Sequence, residues 1–252
     1  MHLHLPKPLH GWRAFVGEVS IIVLGVLIAL AAEQLVDAWQ WHSKVRRAEA
    51  TMRLELSEDN GPQAYGRALI ATCLDRQLKR IHDGAGEVPP EQLRQWTRDY
   101  SPPFRTWDNE AWKVVVASDV GSHMGSDRLL AWSSPYRILP TLTDWNQRES
   151  QLAIDLRETL PRSASASPAD LQSVRRIAAH LRLLNRRFLY SSELLLARIG
   201  ATGAQVPIPV QRQLLAAARA LYGSCVTVPD LNATPSAQRL IANLRSASLT
   251  AQ

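Results

Sequence analysis

The chain has 252 residues and a net charge of +6, from 29 basic and 23 acidic side chains. No basic run is interleaved with aromatics and no known nucleic-acid module matches, so no nucleic-acid partner is expected. Two cysteines, Cys73 and Cys225, exclude a disulfide framework and a cysteine-based zinc site, but would suffice for one bridge outside the cytoplasm.

Residues 1–14 read as a short tail. The uncharged run Val19–Ala32 would span about 21 Å as a helix, too short for a hydrocarbon core of about 30 Å. Extending it to residues 15–36 gives about 33 Å and places Glu18 and Glu33 near the ends, where carboxylates are tolerated. Trp12 precedes the segment, and Trp39 and Trp41 follow it, as interfacial rings do. The sequence therefore predicts a transmembrane helix over 15–36, with the lipid bilayer as its first partner. Two alternatives exist. Ala29-Leu30-Ala31 has the form of a signal-peptidase site, although the helical pattern runs through it to Leu35, Val36 and Trp39. The segment would also pass as a buried helix, but it is apolar all round.

At 100° per residue, Glu18, Gly25, Ala29 and Ala32 share one stripe. Gly25 and Ala29 form a small-xxx-small pair that permits close backbone approach in lipid. The functional reading is a helix–helix interface making a homo-oligomer; the plain reading is a lone span with incidental small residues.

Gly17-Glu18, Gly25-Val26, Ile28-Ala29-Leu30 and Trp39, followed by a charged helix, resemble a group of uncharacterised bacterial single-pass membrane proteins. A weaker echo runs from Glu110-Ala111-Trp112 through Gly121 to Tyr136, with Asp119-Val120-Gly121 departing from the usual Ala-Ser-Gly. The resemblance implies an architecture, namely a short tail, a span in the inner (cytoplasmic) membrane and a helical extramembrane domain, and implies no activity. It also implies an extracytoplasmic domain. The flanking charges point the other way, with Lys7 and Arg13 before the span against Lys44, Arg46, Arg47 and Arg53 after it. The extracytoplasmic orientation is the expectation adopted.

Beyond the span the sequence predicts an all-α chain, the transmembrane helix continuing into a multi-helix bundle. Residues 37–160 form a first part, 161–168 a linker, and 169–252 a second part. The first helix continues through Val45, Ala48, Met52 and Leu56, and Gly61-Pro62 should break or kink it. A helix over 64–82 turns Leu69, Cys73 and Ile81 inward. Pro89-Pro90 opens a short helix that Ser101-Pro102-Pro103 closes, and another covers 108–118. Ser126 caps a turn, and Pro135 starts a helix to about residue 160, kinked at Pro140. Ser167-Pro168-Ala169-Asp170 is a capping sequence for a helix to about 199, with Ile177, Leu181, Leu184, Phe188 and Leu195 on its core face. A helix over 206–223 follows, and Thr234-Pro235 caps a last short one.

Searching for chemistry yields no phosphate loop, no HExxH, no GxSxG and no EF-hand loop. No cofactor and no metal are expected; His2 and His4 form a terminal HxH without further ligands. The densest polar and aromatic stretch is 104–123. There Trp107, Asp108, Glu110, Trp112 and His123, with Arg105 and Asp119, would line a groove, or would serve as helix-start acids and core anchors. Arg175, Arg182 and Arg186 share one side of the 168–199 helix, as a basic dock for an acidic protein partner or anionic lipid, or as a solvated face. The expected function is a membrane-anchored, non-catalytic helical interaction or structural module. The alternative is a membrane-tethered ligand sensor or enzyme using the 104–145 region.

Overall fold

The computed structural model describes residues 11–161 and 165–229, and among these it contains helices and no strand. The expected helix at Thr234-Pro235 and the terminal histidines lie outside the described residues. The chain divides into two units, residues 1–47 and residues 48–252.

Helix α1, Gly11–Leu54, contains the whole 15–36 segment. It is long and apolar enough to cross a membrane, and none of its most apolar 18-residue window is buried. Ile21, Ile22, Leu24, Ile28 and Leu35 are all exposed. A run of branched aliphatic side chains left open to solvent on every side has no counterpart in a soluble core helix, which hides at least one face.

The expected break at Gly61-Pro62 does not occur. A π-helical turn, Glu55–Asn60, carries α1 directly into α2, Gly61–Gly84, and the Gly61 N–H bonds to the Leu56 carbonyl five residues back. The wider turn shifts the hydrogen-bond register just ahead of Pro62, which has no N–H to give. Gly61 is required there: a Cβ would lie 2.7 Å from the Leu56 carbonyl oxygen and 2.8 Å from Val206 Cγ2.

Downstream follow α3 (Pro90–Asp99), α4 (Glu110–Ala117), a 3-10 turn (Gly121–His123), α5 (Ser126–Tyr136), α6 (Leu139–Glu158), α7 (Pro168–Ala201) and α8 (Ile208–Tyr222). The sequence reading is corrected between α5 and α6. Pro135 lies inside α5, and the chain turns at Arg137-Ile138. Pro140 sits in the first turn of α6, where a missing N–H costs nothing, so it opens that helix and does not kink it. Ser126 is the first residue of α5 and not its cap; that place is taken by Gly125 at φ 77°. The α7 cap is as expected. Ser167 and Asp170 form a complete capping box, each side chain taking the other's backbone N–H.

In the second unit α2 is the central element. It packs chiefly against α7, with α8 also against α2 and α6 against α7. Leu69, Leu74, Leu78 and Ile81 of α2 meet a core that includes Leu181, Phe188 and Leu195 of α7. Because α6 and α7 pack together, the 161–168 stretch joins two helices of one core. Cys73, buried on α2, is bridged to Cys225 just beyond α8, 152 positions away in sequence. Beside the bridge the Thr227 N–H donates to the Leu69 carbonyl at 3.2 Å, and the Thr227 and Thr72 hydroxyls lie 3.1 Å apart. The end of α8 is thus fixed to α2 both covalently and through backbone.

Closing so long a loop strongly restricts the unfolded chain, by about 4–5 kcal/mol in the chain-entropy account. Cys73→Ser with Cys225→Ser should lower the stability of the detergent-solubilised chain by about 2–5 kcal/mol, read as a lower guanidinium midpoint. A midpoint equal to that of the wild type would mean that the bridge closes nothing.

Candidate functional site

Among the described residues, the largest fully buried side chain is charged. Arg67, one turn along α2 from Ala64, is 1% exposed. Its guanidinium donates from Nη2 to Glu149 Oε1 at 2.7 Å and from Nη1 to Asn185 Oδ1 at 2.8 Å. It also lies 4.7 Å over the Phe188 ring, which makes a T-shaped contact with Trp145. Asn185 Nδ2 donates in turn to the Ala71 carbonyl at 2.8 Å. One residue of α2, one of α6 and two of α7 are thereby locked around a single cation. Burial pushes the Glu149 carboxyl up, against the pull of the Arg67 guanidinium. With both partners sealed from water, this is an ion pair of the core and not a charged group presented to a substrate.

Above it runs an extended strap, residues 100–109, between α3 and α4. Two buried asparagines hold it by its backbone. Asn146 of α6 accepts from the Arg105 N–H at 3.2 Å and donates to the Arg105 carbonyl at 2.9 Å. Asn60, in the π-helical turn, accepts from the Asp108 N–H at 3.1 Å and donates to the Asp108 carbonyl at 2.7 Å. Each carboxamide presents a donor and an acceptor side by side, so it pairs with one residue's N–H and C=O much as a neighbouring strand would. Glu55 adds a third hold, accepting from the Ala111 N–H at 2.9 Å at the start of α4. The strap places Arg105 inward. Its Nη1 donates to Gln63 Oε1 at 3.0 Å, and a Cβ on Gly66 would lie only 3.3 Å from that nitrogen. Burial, helped by repulsion from Arg67, pulls the Arg105 guanidinium down to about 10.

The residues expected to line a groove divide between two places. Trp112 stacks on Tyr136 at 5.6 Å and, with Val115, Val116, Leu129 and Leu130, lines an apolar pocket of about 440 Å³ between α4 and α5. Asp119 reaches its rim, whereas His123, exposed on the 3-10 turn, is not among its lining residues. Asp108 and Glu110 are exposed, Glu110 pairing with Lys113 at 2.7 Å. Trp107 is half-buried on the strap. Among the described residues, no group of three His, Cys, Asp or Glu side chains could hold a metal.

The arginines of α7 also separate. Arg182 makes a two-point pair with Asp75 of α2, at 2.9 and 3.1 Å, and Arg175 donates to the Ala85 carbonyl. Arg186 is exposed. Two of the three basic side chains therefore help fasten α7 to α2 and its end. On α1, Glu18, Gly25, Ala29 and Ala32 are all exposed, and a Cβ on Gly25 would meet nothing within 4 Å.

Sequence reasoning passed over Arg67, Glu149, Asn60, Asn146 and Asn185. A signal was present: Leu142, Asn146, Glu149, Ala153 and Leu156 are spaced by four, three, four and three, one buried face with two polar members. Removing one partner of such a pair leaves the other charge buried alone. Arg67→Met should cost about 3–5 kcal/mol in unfolding free energy, and adding Glu149→Leu should restore more than half of it. Chemical denaturation of the two variants measures this, and a double variant no more stable than the single would contradict it.

Comparison of the chain with protein-family models, with curated proteins and with solved structures gave no match, so the reading of its role rests on the residues themselves.

Proposed function

We propose that the chain is a single-pass protein of the bacterial inner membrane, carrying a non-catalytic helical interaction or structural module on the extracytoplasmic side. The observation that carries the reading is the uncovered apolar stretch of α1, which water would disfavour and a bilayer would accept. The Cys73–Cys225 bridge supports the side, because disulfides persist in oxidising compartments. The non-catalytic reading draws on the charged groups. The most deeply buried of them, Arg67 and Glu149, are consumed by each other and by the core. A partner would find its apolar surface on α4 and α5, where Val114, Val116 and Leu130 are 63–66% exposed beside the pocket. The resemblance of the N-terminal segment to bacterial single-pass proteins is in line with this architecture.

Fusions at Gln252 test the orientation. Alkaline phosphatase should be active there and a fluorescent protein dark; the reverse pattern would place the module in the cytoplasm. The span is further proposed to self-associate through the Glu18, Gly25, Ala29 and Ala32 stripe. Since a Cβ at Gly25 would meet no other described residue within 4 Å, bulk added there points away from the rest of the described chain. Gly25→Leu should reduce association in a membrane two-hybrid assay by roughly severalfold, as bulk blocks close helix approach, while Val26→Leu should not. Equal signals from both variants would refute the interface.

The pocket between α4 and α5 favours one second reading, a tethered sensor of a small apolar ligand. Thermal-shift screening separates the two. A ligand that raises the melting temperature in proportion to the logarithm of its concentration supports the sensor, and capture of a protein without such a ligand supports the module.

A further inference from the structure

The centre of the second unit holds more positive charge and more donors than its partners answer. Arg67 and Arg105 both approach the one carboxylate of Glu149, so the cluster carries two guanidinium charges against one acid. The other ionisable groups felt there are Tyr100 of the strap, Tyr222 of α8 and Arg157 of α6, none of them an acid at neutral pH. Three buried polar atoms in this cluster have no hydrogen-bond partner: Arg67 Nε, Arg105 Nε and the Tyr100 hydroxyl. Each can donate, and two of them cannot accept at all. Arg67 is 1% exposed and Tyr100 is fully buried, so nothing with a bulky body reaches them from solvent.

Unpartnered buried donors are ordinarily satisfied by an internal water. A water would answer the hydrogen bonds and leave the excess charge, which is the larger cost in a low-dielectric interior. An anion answers both. The burial that pulls the Arg105 guanidinium down to about 10 is the same unfavourable charge seen from the arginine's side.

We propose that this cluster is a binding site for one small inorganic monovalent anion of the halide class, held by the Nε–H groups of Arg67 and Arg105 and by the Tyr100 hydroxyl. The strap is then part of the site: Asn146 fixes the Arg105 backbone, and the strap supplies Tyr100 from its start and Arg105 from its middle. Bound so, the anion ties the strap to α2.

The test uses the full chain in detergent, dialysed free of chloride into gluconate and titrated with chloride at constant ionic strength. The melting temperature should rise with chloride and level off, as it does when a ligand binds only the folded state. Bromide should reproduce the effect. Tyr100→Phe and Arg105→Lys each remove one donor and should raise the half-saturating chloride concentration by roughly fivefold to tenfold. Where a variant does not fold, crystals of the wild-type chain soaked in bromide should show an anomalous peak beside Arg67 and Arg105. A melting temperature equal in chloride and gluconate at every concentration would assign the donors to water and overturn the proposal. So would an unchanged chloride midpoint in both variants, or a bromide-soaked crystal with no peak at the cluster.

Discussion

A guanidinium at the centre of a helical bundle sets the terms for everything packed around it. Arg67 is sealed from water on α2, so its charge must be answered by groups that come from other helices. Glu149 and Asn185 do so, and they fix the rotation of α6 and α7 about their axes relative to α2. Leucine against leucine would leave that rotation looser, since apolar contacts are non-directional. A carboxylate 2.7 Å from a guanidinium tolerates no such slack. The cluster contributes specificity of packing, and its net stabilisation is smaller than its short distances suggest, because both ions had to leave water.

The strap follows from the same constraint. An extended segment laid against a core with no strand beside it leaves N–H and C=O groups unpaired, each costly where it is covered. Asn60 and Asn146 resolve this by lending a side-chain amide where a neighbouring strand would stand. Asn60 can reach the strap from the π-helical turn, and Pro62 lies just past that turn. A local rule, that proline lacks a donor, is therefore coupled through the register shift to a contact 48 residues away in sequence.

Much of this architecture was legible in the sequence. The apolar length of 15–36 marked a helix long and apolar enough to cross a membrane, and the capping sequence Ser167 to Asp170 marked the start of α7. The inward positions of α7 were readable from period alone, apart from Ile177, which is only partly covered. What escaped had physical reasons. Gly61-Pro62 looks like a breaker because local propensity holds no record of a π-helical register shift. Pro135 and Pro140 both satisfy the rule for a helix start, and only tertiary packing decides which of them does. The buried cluster was missed because polar residues at inward spacing are usually taken for surface. Neither Arg67 nor Glu149 makes sense until the other is beside it, 82 positions away. The arginines of α7 failed in the opposite sense. A stripe on a helical wheel reads as a surface, yet Arg175 and Arg182 reach across to α2 and its end.

These features divide the protein's labour. Within the second unit the strongest polar groups are occupied in holding helices in register, through Arg67 with Glu149 at the centre and Arg182 with Asp75 at the side. The Cys73–Cys225 bridge then fixes the last described helix to the first of that core. The described surface carries an apolar face on α4 and α5 and an apolar stretch on α1 long enough to cross a membrane. Both are surfaces that water disfavours and that another apolar surface would cover. Under the proposed reading as an anchored interaction module, these are the faces that a bilayer and a partner would cover.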